Sequence, residues 1–93
     1  MKITFDPVKN ARNIELRGLS FERAGDLNFD AATVEMDSRR DYGEDRYVVA
    51  GYLDNRLHLL CFVETDDGIR VISFRKANLR EANKHGKPQT LDR

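Results

Sequence analysis

The chain has 93 residues, 40% hydrophobic and 34% charged, which suits one small soluble domain with one modest core and excludes a disordered tract. No apolar run approaches the roughly 20 residues of a membrane helix, the opening residues lack a signal peptide's apolar region, and the single Cys61 forms no internal disulfide, so a cytoplasmic protein without membrane contact is expected. Sixteen Lys and Arg balance 16 Asp and Glu, but unevenly: residues 1–68 carry 9 cations against 14 carboxylates and residues 69–93 carry 7 against 2, which points either to an anionic partner or to acidic and basic parts lying side by side.

Ile3 and Phe5 alternate with polar neighbours and predict a short strand. Asp6 is a good N-cap and Pro7 suits the first helical position, so a helix starts there and stops at Gly18. Val8, Ala11 and Ile14 share one of its faces. Ser20 caps a second helix with Phe21, Ala24 and Leu27 along one stripe. The two helices are expected to bury their apolar faces on a sheet. That sheet starts at Thr33–Asp37 and resumes, after the polar loop 38–45, at Arg46–Leu53.

Asp54-Asn55 reads as a two-residue hairpin turn, because both residue types tolerate positive φ. In the next strand Leu57, Leu59, Cys61 and Val63 form an apolar face, and Leu60 and Phe62 line the other, which places it near the sheet centre. His58 alternates away from the Leu57/Leu59 face and is expected to meet solvent, with a catalytic role as the alternative reading. Asp66-Asp67-Gly68 makes a turn and residues 69–75 a last strand. Ala77, Arg80, Glu81 and Lys84 then follow at helical spacing until Gly86 and Pro88. The predicted order is β-α-α-β-β-β-β-α: an α+β domain over residues 1–86, an antiparallel meander with helices packed on one face, and a flexible tail over 87–93.

Four motifs in register carry a resemblance. They are Phe5-Asp6-Pro7 with Lys9, Asn10 and Asn13; Gly18-Leu19-Ser20-Phe21-Glu22 with Ala24; Gly43-Glu44 with Arg46; and Ile69 to Ser73 with Arg75-Lys76-Ala77 and Arg80-Glu81. Together they resemble the BrnT family, the toxin half of a bacterial type II toxin–antitoxin pair. The resemblance implies a RelE-like ribonuclease fold and RNA cleavage that inhibits translation. It also implies neutralisation by a BrnA-like ribbon-helix-helix antitoxin, with DNA reached only through that antitoxin, and a homodimer or 2:2 complex. The chain departs from the family pattern at Phe5 (usually Trp), Arg17 (usually His), Thr65-Asp66-Asp67 (usually Thr-x-Arg) and His85 (often Tyr).

RNA cleavage without a metal asks for a group that takes a proton from the 2′-hydroxyl, one that protonates the leaving oxygen, and fixed cations for the crowded phosphorus. Arg75, ending a strand, is the leading cation, with Glu44 and His85 as proton-transfer candidates. Lys9, Arg70, Lys76 and Arg80 are candidate RNA-phosphate contacts. Arg70 and Arg75 have opposite strand parity, so they share a face only if the strand bulges or twists. Tyr47 and Tyr52 are possible stacking surfaces for bases or ordinary sheet packing. Every one of these cations also has a plain reading as a partner for the chain's own carboxylates. One Cys and two distant His make no zinc set, and no phosphate-cradling glycine loop is present, so neither metal nor cofactor is expected. Two alternatives are a catalytically weakened partner or corepressor of a DNA-binding antitoxin, and a nucleic-acid-binding protein unrelated to toxins.

Overall fold

The computed structural model describes residues 1–91. Its elements are β1 (Lys2–Phe5), α1 (Pro7–Arg17), a 3-10 helix (Phe21–Asp26), β2 (Asn28–Met36), β3 (Tyr47–Leu53), β4 (Arg56–Thr65), β5 (Gly68–Lys76) and α2 (Leu79–Lys84). Local chemistry sets most boundaries. The Asp6 carboxylate accepts the Val8 amide and Gly18 closes α1 at φ 64°. Asp54 and Asn55 turn the β3–β4 hairpin at φ 50° and 65°. Asn78 and Glu81 cap α2 reciprocally, each side chain holding the other's backbone amide.

The five strands form one mixed sheet in the order β1-β5-β4-β3-β2. The β2–β5 meander is antiparallel as expected, but β1 adds to β5 in parallel, so the sheet is not wholly antiparallel. Gly68 permits this pairing, since a Cβ there would collide with the Lys2 carbonyl.

The expectation of helices on one face is also corrected. Leu19, Phe21, Ala24 and Leu27 pack with Val49, Leu53, Leu60, Phe62, Ile69, Val71 and Phe74 on one side. On the other side Ala82 of α2 packs with Ala50, Leu57 and Ala77. Both faces of β4 are therefore covered, which explains its apolar residues on both parities.

Helix α1 departs further. Val8, Ala11 and Ile14 are exposed, and the helix is held by asparagines instead. Buried Asn13 donates to the carbonyls of Leu19 (2.9 Å) and Phe74 (3.0 Å), and Asn10 accepts the Phe21 amide (2.8 Å). The expected second helix is one unbroken stretch of 3-10 helix, Phe21–Asp26, within which Gly25 passes close to the Ile3 side chain. Strand β2 starts earlier than expected, at Asn28, with an irregular register between Asn28 and Thr33, and β3 starts at Tyr47.

Residues 92–93 of the expected tail lie outside the described residues. Before them the chain runs back along the β4 start. Gln89 accepts the Leu57 amide (2.9 Å), Leu91 donates to Asn55 (2.8 Å), and the Tyr52 hydroxyl donates to the Pro88 carbonyl (2.6 Å). Among the described residues no helix is long and apolar enough to cross a membrane.

Candidate functional site

A register shift in β5 decides which cations share a face. Cys61 pairs with Ser73 and Phe62 pairs with Val71, which leaves Ile72 as an extra residue. Ile69, Val71 and Phe74 thus all point into the main core despite mixed parity. Arg70 and Arg75 both fall on the opposite face, the face of α2.

Two clefts meet at the end of β5, and Arg75 lines both. The first, about 320 Å³, lies on the α2 face between the β2 end and α2. Its charged lining is matched: Arg39, Arg75 and Lys84 against Glu35, Asp37 and Glu81, with His85 at the α2 end. Arg75 grips Glu81 with both terminal nitrogens, at 2.8 and 2.6 Å, and also reaches the Lys76 carbonyl (3.3 Å). That hydrogen-bonded pairing outweighs desolvation and pulls the Glu81 carboxyl down to about 2. His85 meets the Thr33 hydroxyl through Nδ1 at 3.2 Å. Asp37, its side chain almost fully buried, is held by Arg39 and Tyr42 and titrates well below the usual carboxylate range, the Arg39 hydrogen bond being the main cause.

Cys61 forms part of the floor, and burial pushes its thiol up, away from the thiolate a nucleophile needs. Among the described residues no group of three or more His, Cys, Asp and Glu gathers to hold a metal.

The second cleft, about 710 Å³, opens where the α1 end, the β3–β4 turn and the β5 end converge. Arg17, Arg23, Arg56, Arg75 and Lys76 line it, with Asp54 as the carboxylate and Leu19 and Leu53 as apolar wall. Arg23 is neutralised by Asp54 (2.8 Å) and Asp26 (3.2 Å). Arg17 bonds the Asn13 side-chain oxygen (3.0 Å) and Arg56 the Ala77 carbonyl (3.0 Å), both neutral partners. The Arg56 Nε is buried and has no partner among the described residues.

His58 also lines this cleft, contrary to the solvent-facing expectation. It is 4% exposed, its ring lies 5.4 Å from that of Phe74, and Nδ1 sits 2.8 Å from the Arg56 carbonyl. Desolvation, aided by the charges of Arg56 and Lys76, lowers its pKa and keeps the ring neutral. The carbonyl can only accept, so Nδ1 carries the proton and Nε2 is the bare nitrogen.

The remaining sequence candidates lie elsewhere. Glu44 pairs with Arg70 (2.7 Å) and Arg46 (3.3 Å) and lines neither cleft. Burial raises its pKa, but the two arginine hydrogen bonds together prevail and lower it. Arg70 is spent on this pair. Lys9 is exposed on α1 and Arg80 on α2, and neither lines a cleft. Lys76 is exposed at the second cleft. Tyr47 packs against Phe62, with ring centroids 5.7 Å apart, and Tyr52 packs against the cluster of Ala50, Leu57, Ala77 and Ala82, so neither is a free stacking surface. The sequence reading missed Arg17, Arg56 and His58 as a group. The one available signal was that Arg56 and His58 follow the Asp54-Asn55 turn, at the start of the strand that pairs with Lys76.

No curated protein and no solved structure matches the chain. The family model described as "Ribonuclease toxin, BrnT, of type II toxin-antitoxin system" matches residues 5–81, from β1 through the Glu81 partner of Arg75. On that match over most of its length, the chain belongs to the BrnT family of type II ribonuclease toxins.

Proposed function

We propose that this chain is a metal-independent endoribonuclease that inhibits translation and is neutralised by a BrnA-like ribbon-helix-helix antitoxin. The family supports ribonuclease toxin chemistry in general; the finer reading rests on Arg75. Its side chain is fixed by Glu81 at the junction of two clefts, and the three bonds it makes leave further guanidinium N–H groups unused. Those donors suit the non-bridging oxygens of a phosphodiester.

In this reading the 2′-oxygen attacks the adjacent phosphorus, the bond to the 5′-oxygen breaks, and a cyclic phosphate and a 5′-hydroxyl result. Arg75 stabilises the charge that grows on the phosphoryl oxygens. His85 lines the same cleft as Arg75 and handles a proton, while Lys76 holds the strand beyond it. The exposed apolar side chains Val8, Ile14 and Leu16 of α1 offer a surface for a protein partner.

Purified protein incubated with RNA in EDTA is expected to generate fragments ending in cyclic phosphate. Arg75→Ala should lower the rate about 100-fold or more. Intact RNA at high protein concentration overturns the reading. One observation favours a second reading, the weakened partner or corepressor: Arg75 spends its best-aligned donors on Glu81. Under that reading, expression without the antitoxin leaves growth unchanged.

A further inference from the structure

The second cleft has a charge pattern that the pairing around Arg75 does not explain. Among the described residues, Arg17 and Arg56 meet only neutral oxygens and Lys76 forms no ion pair. Three cations thus converge without carboxylate partners, although the chain has as many carboxylates as cations. The Arg56 Nε is buried and unbonded among the described residues, so its desolvation is not offset there. Beside them His58 presents an acceptor nitrogen held by packing on Phe74 and by its Nδ1 bond.

Resting on the ribonuclease reading, we propose that this cleft is a ribonucleotide subsite of single-stranded RNA: Arg17, Arg56 and Lys76 take a backbone phosphate, and His58 Nε2 accepts a hydrogen bond from the ribose 2′-hydroxyl. Guanidinium forks fit phosphate oxygens. A neutral imidazole nitrogen has a lone pair and no hydrogen, so it accepts from a hydroxyl and gives nothing to a deoxyribose. The 2′-hydroxyl is the group by which proteins tell RNA from DNA. Leu19 and Leu53 supply an apolar wall for the sugar, and the volume of about 710 Å³ accommodates a nucleotide. Arg75 borders both clefts, so a strand bound across it in the first continues into the second.

The test measures binding without cleavage. Adenosine 3′-monophosphate and its 2′-deoxy analogue are titrated into the protein while backbone amides and the His58 ring are followed by NMR. The ribose form is expected to bind about threefold to tenfold more tightly, the worth of one hydrogen bond, with shifts centred on Arg17, Arg56 and His58. Arg17→Gln should weaken both ligands by about tenfold. His58→Phe, which keeps a ring against Phe74, should bind both equally, and His58→Gln should restore part of the preference through its amide oxygen. Equal affinity of the wild type for the two ligands, or shifts away from the cleft, overturns the proposal even if the variants fail to fold.

A tetranucleotide that is deoxy except at its 3′-terminal residue has no cleavable linkage. Binding several-fold tighter than the mononucleotide supports a strand, and equal affinity assigns the cleft to free nucleotides and overturns the RNA subsite. Ribose-selective binding without RNA cleavage removes the ribonuclease reading and leaves the subsite standing. Cleavage without ribose selectivity removes the subsite alone.

Discussion

Glu81→Gln separates the charge of the Arg75–Glu81 pair from its shape. The amide oxygen still accepts the Asn78 amide, so the capping box that starts α2 survives and the ionic contact is lost. The fall of the Glu81 carboxyl from an ordinary 4.5 to about 2 is an upper limit of about 3 kcal/mol of native stability. Arg75 is 39% exposed, so solvent screening cuts this to about 1–1.5 kcal/mol. For a domain of this size that is a fall in midpoint of about 5–10 °C at pH 7.

The sign follows from the depressed carboxyl. Below 4.5 the unfolded chain takes up a proton that the native state refuses, so the contribution is complete above that pH and fades towards pH 2. Urea unfolding of both proteins from pH 7 to pH 2.5 should show a gap that is constant down to about pH 5 and then narrows. Every other titrating group cancels in the difference. A gap that stays the same down to pH 2.5 refutes the depression of the Glu81 carboxyl itself.

Two further substitutions test how the scaffold is held. Asn13→Ala leaves the carbonyls of Leu19 and Phe74 without their buried donor and should cost about 2–4 kcal/mol in urea unfolding; a loss below about 0.5 kcal/mol shows that α1 is anchored by other means. Gly68→Ala drives a methyl group into the Lys2 backbone and should free β1 from β5, seen as lost hydrogen-exchange protection at Lys2 and Thr4, whose amides face β5, and a cost on the order of 2 kcal/mol; unchanged protection refutes the parallel pairing.

Features fixed by nearest neighbours were readable from the sequence. Asp6-Pro7, Gly18, Ser20 and Asp54-Asn55 each act through their own backbone or a residue two or three away, and each does what its type predicts. What the sequence concealed depends on distant partners. The pairing of Lys2 with Gly68 joins the two ends of the domain. The α1 stripe Val8-Ala11-Ile14 has the spacing of a core face, but two asparagines hold the helix by the other side, and no periodicity rule weighs an amide against an isoleucine. His58 reads as exposed by alternation because its neighbours Leu57 and Leu59 are apolar; in a sheet covered on both faces, alternation no longer separates inside from outside. At the candidate site, Arg75 stood out by its place at a strand end. Its lock on Glu81 depends on the angle between β5 and α2, which spacing does not encode.

The extra residue at Ile72 makes β5 run in two phases. Up to Val71 odd positions face inward, and beyond the bulge even ones do. Gaining or losing a residue in the exposed Asp66-Asp67 turn leaves that phase intact. Deleting Ile72 itself would remove the bulge and let Val71 and Ser73 follow one another opposite Phe62 and Cys61, with Phe74 still turned in and Arg75 still on the α2 face. The bulge is thus a slack point: the strand can lose one residue there without carrying the Arg75 guanidinium to the other face of the sheet.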